Sequence, residues 1–262
     1  MIAAPLHAAA RLEVSGETRQ LDQALEVRVG LANRGDAAMR GVVVAGELLG
    51  HHDEARLSQP IEAGQTGQAL LHFPLAPPRP GTYALTMLVE YQEAGKALSQ
   101  PAFLLLALGE NPPPDVDVVV VPLRVMDMGK LIVRLSSKDG APHKVRLRGI
   151  APKGLRLRDP AGPVDLAAMG STEVGLTVFR GVAPRATAQG VLIVAETEDG
   201  PLARSSVTAG TIEVLPDPAW LPRLRVPLLV LAIALLLAAV WAEWRCRPGG
   251  LPEPVDKPLD RQ

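Results

Sequence analysis

One uncharged run near the end of the chain limits its folding options more than any other feature: Val226-Pro-Leu-Leu-Val-Leu-Ala-Ile-Ala-Leu-Leu-Leu-Ala-Ala-Val-Trp-Ala242. Apolar stretches of about 17–25 residues can cross a bilayer core as a helix. All three tryptophans surround it, Trp220 before and Trp241 and Trp244 at its far end. Arg223 and Arg225 precede it, and Arg245 and Arg247 follow. Trp220 and Trp241 lie 21 positions apart, roughly 31 Å of helix, the spacing of the two aromatic belts of a membrane. A buried core helix is the competing reading, but such helices are seldom apolar on every side with cations at both ends. Residues 220–244 therefore predict a single transmembrane helix. Pro227 is expected in its first turn, where a missing N–H costs little. Ala232, Ala234, Ala238 and Ala239 are small, yet no Gly-x-x-x-Gly motif points to helix pairing.

The remaining length suits two domains. The chain has 262 residues and a formal charge of −1, so no global charge draws it toward nucleic acid. Gly (24) and Pro (25) are frequent, as a turn-rich β protein requires. Cys246 is the only cysteine, which excludes an intrachain disulfide. It reads as an incidental thiol, with acylation at the membrane surface as the sharper alternative. Residues 1–10 are apolar and end in small residues. They read as a leader or signal remnant, although the stretch itself contains no basic n-region.

Period-two alternation runs through the first half. Leu25, Val27, Val29 and Leu31 share one strand face, and Ala32-Asn-Arg-Gly-Asp36 is a turn in which Asn33 and Gly35 suit positive φ. Residues 40–49 and 67–75 are further strands, 50–54 is a polar turn, and 57–66 gives short edge pieces. Residues 82–91 and 97–108 form a hairpin around Glu93-Ala-Gly95. Three consecutive prolines in 110–115 mark a stiff spacer. The plan then recurs after about 105 residues: strands at 130–137, 171–179, 190–198 and 208–215, with Val145, Leu147, Leu155 and Leu157 alternating with charges between them. The expected fold is all-β: two tandem antiparallel Ig-like sandwiches at 11–109 and 116–216, each of about seven strands, then the helix and a disordered tail at 245–262.

Some of these residues resemble a known group. Val27 to Asn33-Arg-Gly35 and Pro80-Gly81-Thr82-Tyr83 resemble bacterial and archaeal Ig-like domains of the cell-adhesion-related (CARDB) type. Ala151-Pro-Lys-Gly-Leu155 and Met169-Gly-Ser-Thr-Glu-Val174 resemble the alpha-galactosidase-associated Ig-like group, with Ser136-Ser137 in place of the Asn turn. The resemblance implies non-catalytic modules of prokaryotic envelope proteins, often carrying a C-terminal membrane helix.

Catalytic constellations are missing from the sequence. His51-His52-Asp53-Glu54 is the one concentrated metal-capable run. Adjacent residues on an extended chain face opposite ways, so it reads as a solvated loop. No Gly-x-Ser-x-Gly and no Gly-Lys-Ser/Thr occurs. Glu196 and Glu198 share a strand face, and read as solvated rather than as a glycosidase pair. No metal, cofactor or enzymatic activity is expected.

The unusual surface feature is basic. Lys144, Arg146, Arg148, Lys153, Arg156 and Arg158 are followed by no acid until Asp159. Spacing of i, i+2 puts each strand's set on one face, and two neighbouring strands would present a single cationic patch. Ordinary solvated sheet is one reading. Binding of anionic lipid, anionic polysaccharide or an acidic protein partner is the other. Aromatic interleaving for single-stranded nucleic acid is missing. Arg245, Arg247, Lys257 and Arg261 outnumber Arg223 and Arg225, which favours a cytoplasmic tail and sandwiches outside the cell membrane. The sequence thus describes a membrane-anchored, non-enzymatic envelope protein that binds or braces a partner. An accessory subunit of a membrane transport or exopolysaccharide complex is the alternative.

Overall fold

A computed structural model describes residues 12–21, 24–74, 79–184, 186–198, 200–216 and 220–245. Leader residues 1–10, Cys246, Arg247 and the tail lie outside the described residues. The chain divides into two units, 1–216 and 217–262.

The first unit is all-β. Its first half contains β1 (Leu12–Leu21), β2 (Ala24–Asn33), β3 (Met39–Leu48), β4 (His51–Arg56), β5 (Thr66–Phe73), β6 (Gly81–Glu93) and β7 (Lys96–Leu108). Its second half contains β8 (Val116–Val120), β9 (Leu123–Val125), β10 (Met128–Ser137), β11 (His143–Ile150), β12 (Leu155–Arg158), β13 (Val164–Leu166), β14 (Ser171–Arg180), β15 (Thr187–Thr197) and β16 (Arg204–Val214). Four sheets result: β1-β2-β5, β4-β3-β6-β7, β13-β11-β15-β16-β9 and β12-β14-β10-β8. We number them sheets one to four in that order.

Alternation explains the two cores. Leu25, Val27, Val29 and Leu31 of β2 meet Val42, Val44, Leu85, Met87 and Val89 between sheets one and two. Leu131, Val133 and Leu135 of β10 meet Val145, Leu147, Val191 and Ile193 between sheets three and four. Each pair of sheets is a sandwich in which the inward residue of every second position leaves water. Burying one such aliphatic side chain is worth about 1.5–3 kcal/mol.

Several details depart from the sequence expectation. Residues 51–56 form a strand, β4, rather than a polar loop, because Leu49 and Gly50 take φ of 51° and 80° and make a two-residue hairpin turn. Ala94 and Gly95 (φ 47° and 76°) do the same between β6 and β7. Asn33 and Gly35 do not use positive φ. The Asn33 side chain holds the turn instead, with Nδ2 donating to Ala37 O (2.8 Å) and Ile61 O (2.9 Å) and Oδ1 accepting from Gly35 N (2.9 Å). In the second sandwich Asp139 takes that role, its Oδ1 accepting from Ala141 N at 3.1 Å. The second sandwich is also not wholly antiparallel, since β9 pairs with β16 in parallel.

The sandwiches are not strung apart by a spacer. Ala84 and Thr86 of β6 and Leu192 and Val194 of β15 point away from both cores, yet all four are buried. Strands β6 and β15 are therefore covered on both faces, and sheet two packs its outer face on that of sheet three. The 110–115 segment is pinned as well: Thr82 Oγ1 donates to Asn111 Oδ1 (3.1 Å), and Lys138 N donates to Asp115 O (2.7 Å).

The second unit contains one helix, α1 (Trp220–Arg245). It starts earlier than the apolar run, so Pro227 falls inside it rather than in its first turn. The missing N–H there leaves the carbonyl four residues back without its usual partner. Side chains of α1 are described from Pro227 to Ala242, and these are exposed. Among the described residues no helix is long and apolar enough to cross a membrane.

Candidate functional site

The basic run of residues 144–158 does not form one patch. Strand β11 lies in sheet three and β12 in sheet four, so their outward faces are on opposite sides of the second sandwich. Proximity in sequence misled because the chain crosses between sheets through the 151–154 loop.

On the β11 side the cations face acids. Arg148 Nη1 contacts Glu47 Oε1 of the first sandwich, and its Nη2 lies 3.8 Å from Glu196 Oε1. Arg146 Nη2 sits 2.6 Å from Glu198 Oε1. Lys153 Nζ reaches Glu90 Oε2 at 2.5 Å, and Lys153 N donates to Ser99 Oγ at 2.6 Å. Lys144 is exposed on the same strand and also has a partner. Three of the six predicted binding residues thus serve intramolecular ion pairs, and two of those pairs join the sandwiches.

Burial tunes this junction. It raises the carboxyl of Glu196 above the ordinary glutamate value, opposed by Arg148 and Arg146 and assisted by Glu47 and Glu198. Asp159 is raised by the same desolvation, although Gly149 N donates to its Oδ1 at 2.8 Å. Of the Glu196/Glu198 pair read as solvated surface, Glu196 is therefore half-buried beside Arg148, while Glu198 is exposed and pairs with Arg146 of its own sandwich.

At the other end of the junction the backbone does the work. Ala203 N donates to Pro80 O (2.9 Å) and Thr82 N donates to Ala203 O (2.8 Å). Arg79 donates to three carbonyls of the β15–β16 turn: Thr197 O at 3.0 Å, Glu198 O at 3.3 Å and Gly200 O at 2.7 Å. Gly81 takes φ 137°, and a Cβ there would collide with the Ala203 backbone. Beside the Lys153 contact, at the end away from Gly81, a cleft of about 950 Å³ is lined by Tyr91, Leu98, Gln100, Pro152, Leu192 and Thr211 among others.

Asp115, Asp139 and His143 bring ligand atoms within 4.8 Å of one another. Their bonding favours a structural reading. Arg204 Nη1 contacts Asp115 Oδ2, so a guanidinium already supplies the cation. Asp139 Oδ1 takes His143 Nε2 at 2.7 Å and Ser137 Oγ at 3.3 Å. These bonds, His143 foremost, hold the Asp139 carboxyl below its ordinary value. His51 and His52 belong to no such cluster among the described residues.

On sheet four the basic run meets different surroundings. Register places Arg156, Phe179 and Met128 in one row across β12, β14 and β10, and Arg158, Thr177 and Lys130 in the next. Arg156, Arg158, Lys130, Met128 and Phe179 are exposed. No ion pair is formed by Lys130, Arg156 or Arg158 among the described residues. Lys130 was not singled out by sequence. Its alternation with Leu131 and Val133 marked its face, but nothing marked β10 as the neighbour of β14 and β12. Of the residues expected at a membrane interface, Trp241 is exposed on α1. Trp220, Arg223, Arg225, Trp244 and Arg245 lie on its backbone, with side chains outside the described set.

No protein family and no curated protein matches this chain. Among solved structures, a Salmonella alpha-2-macroglobulin is similar at 15% identity and TM-score 0.32 over 79% of this chain and 16% of its own. Red sea bream transglutaminase is similar at 15% identity and TM-score 0.27, over 78% of this chain and 31% of its own. A protein of unknown function from Porphyromonas gingivalis W83 is similar at 15% identity and TM-score 0.31, over 78% of this chain and its entire length, 100%. This chain thus spans about a sixth of the macroglobulin. Likeness this loose says nothing of function.

Proposed function

We propose that the protein is a non-catalytic, single-pass membrane protein of a prokaryotic cell envelope. Its two Ig-like sandwiches, of the kind the CARDB and alpha-galactosidase-associated resemblance implies, act as one rigid binding platform. The observation that carries the reading is α1. Leu228, Leu229, Val230, Leu231, Ile233, Leu235, Leu236, Leu237, Val240 and Trp241 are all exposed along it. Consecutive positions wind around the whole helix, so no side is polar, and water is a poor solvent for such a surface. A bilayer is a good one.

Alkaline extraction of membranes carrying the full chain tests the anchor. Retention in the pellet is expected, and release with the peripheral proteins would overturn it. Proteolysis of intact cells tests orientation: sandwiches outside are cleaved without lysis, and cleavage only after lysis reverses the topology. A mild-detergent pull-down that returns one stoichiometric membrane protein would favour the accessory-subunit alternative.

A further inference from the structure

We propose that the corner of the second sandwich formed by Met128, Phe179, Val182, Lys130, Arg156 and Arg158 is a docking surface for anionic bilayer. The inference rests on the membrane-anchored reading above and adds a second, peripheral contact to it.

Four large apolar side chains gather at this corner. Met126 lies in the β9–β10 turn and Met128 starts β10, Phe179 is near the end of β14 and Val182 is in the loop just after it; Met128 is 67% and Val182 87% exposed. They belong together: Met128 pairs with Phe179 across the sheet, and Arg180 N donates to Asp127 O at 2.7 Å. Clustered thioether, phenyl and valyl groups that protrude at one corner can enter the headgroup–acyl boundary. Cations border them on the same sheet face. Arg156 shares the Phe179 row and Arg158 shares that of Lys130. The Lys130 stem lies across Gly175, where any Cβ would meet it, so its aliphatic part covers sheet and its ammonium can reach outward. The neighbouring carboxylates do not cancel these charges, because Asp127 is held by Arg180 (3.1 Å) and Glu173 by Arg134 (2.6 Å).

Chain path and charge select the occupant. Leu215 N donates to Val125 O at 2.8 Å, so the chain leaves the sandwich beside the β9–β10 turn. Helix α1 begins at Trp220, six positions after Val214 ends β16. Anionic headgroups complement Lys130, Arg156 and Arg158, which form no ion pair among the described residues, at about 1 kcal/mol for each basic residue near such a surface. One aromatic, Phe179, is too few for base or sugar stacking.

The test uses the full chain with Cys246→Ser, labelled with an environment-sensitive dye at Met128→Cys or, separately, at Val182→Cys, in nanodiscs. Glu17→Cys on exposed β1 is the reference label. In discs rich in phosphatidylglycerol the dyes at 128 and 182 are expected to be shielded from water and quenched by spin-labelled lipid, and the dye at 17 is not. Replacing Lys130, Arg156 and Arg158 with Gln should reduce the lipid-bound fraction by about fivefold per charge at low salt. Chain that enters the discs with dyes at 128 and 182 as wet as at 17 overturns the surface and leaves the anchor standing. Failure to enter the discs removes the anchor and this surface with it. Equal shielding by heparin in neutral discs reassigns the face to a polysaccharide.

Discussion

The two outward faces of the second sandwich carry pieces of the same basic run and use them in opposite ways. On sheet three, Arg148 reaches Glu47 of the first sandwich and lies beside Glu196, and the more exposed Arg146 is matched to Glu198 of its own sandwich. On sheet four, Arg156 and Arg158 stay in water beside Phe179 and Met128. Residue type and spacing are the same in both. What differs is the neighbour, which depends on strand order. A charge-rich strand is therefore a junction or a docking face according to what its sheet meets. Burial of half-paired charge also makes the first arrangement the more fragile.

The largest effect should come from the backbone fastening that keeps sheet three covered. Gly81→Val adds a β-branched side chain at φ 137°, against the Ala203 backbone. A loss of about 3 kcal/mol or more is expected from strain at such a position combined with the collision, read as a lower midpoint in urea. A comparable substitution at Gly190, where a Cβ meets nothing within 4 Å, should stay within about 1 kcal/mol. Equal effects at the two glycines would mean that the sandwiches do not depend on the Gly81–Ala203 bridge.

Next is the contrast between the arginines. Arg148→Ala takes from Glu47 its arginine partner, whose side chain is only 21% exposed. A loss of about 2 kcal/mol is expected for a partly buried pair, less than the full penalty of a dry one. Arg156→Ala on the open face should fall within about 0.5 kcal/mol. A Glu47→Gln, Arg148→Ala cycle should show coupling. If Arg156→Ala proves as costly as Arg148→Ala, the division of the run into a junction half and an open half is wrong.

Those contrasts also mark what the sequence could disclose. Alternation at Leu25–Leu31 and Leu131–Leu135 placed the strands and their inward faces, because period two is written in single residues. The hairpin at Glu93-Ala-Gly95 was legible from its turn chemistry. The β4 strand was not, since Leu49 at φ 51° is a conformation that β-branched and bulky residues rarely adopt. The face-to-face packing left a trace that alternation-based reading passes over: Val191-Leu-Ile-Val-Ala195 is apolar at successive positions, the mark of a strand covered on both sides. Which sheet receives β12 depends on long-range pairing with β14, and no local pattern around Arg156 carries that information.

The smallest expected effect is in the pH response of the junction. Glu196 has a folded value above its unfolded one because burial disfavours its charge. Such a group adds stability in its protonated form, fully present below the unfolded value near 4.5 and lost as pH rises through the raised folded value. Asp139 works in the opposite sense and in a lower window. Its value is depressed by His143, so its contribution holds above about 3.8 and is lost on further acidification. Between neutral pH and about pH 5 the junction should therefore hold or gain stability, where an ordinary surface ion-pair network would begin to loosen. Glu196→Gln should flatten that gain and leave the acid-side loss from Asp139 in place, as followed by urea midpoints across the pH range. An unchanged profile in Glu196→Gln would place the buried charge elsewhere, with Asp159 as the next carboxylate to replace.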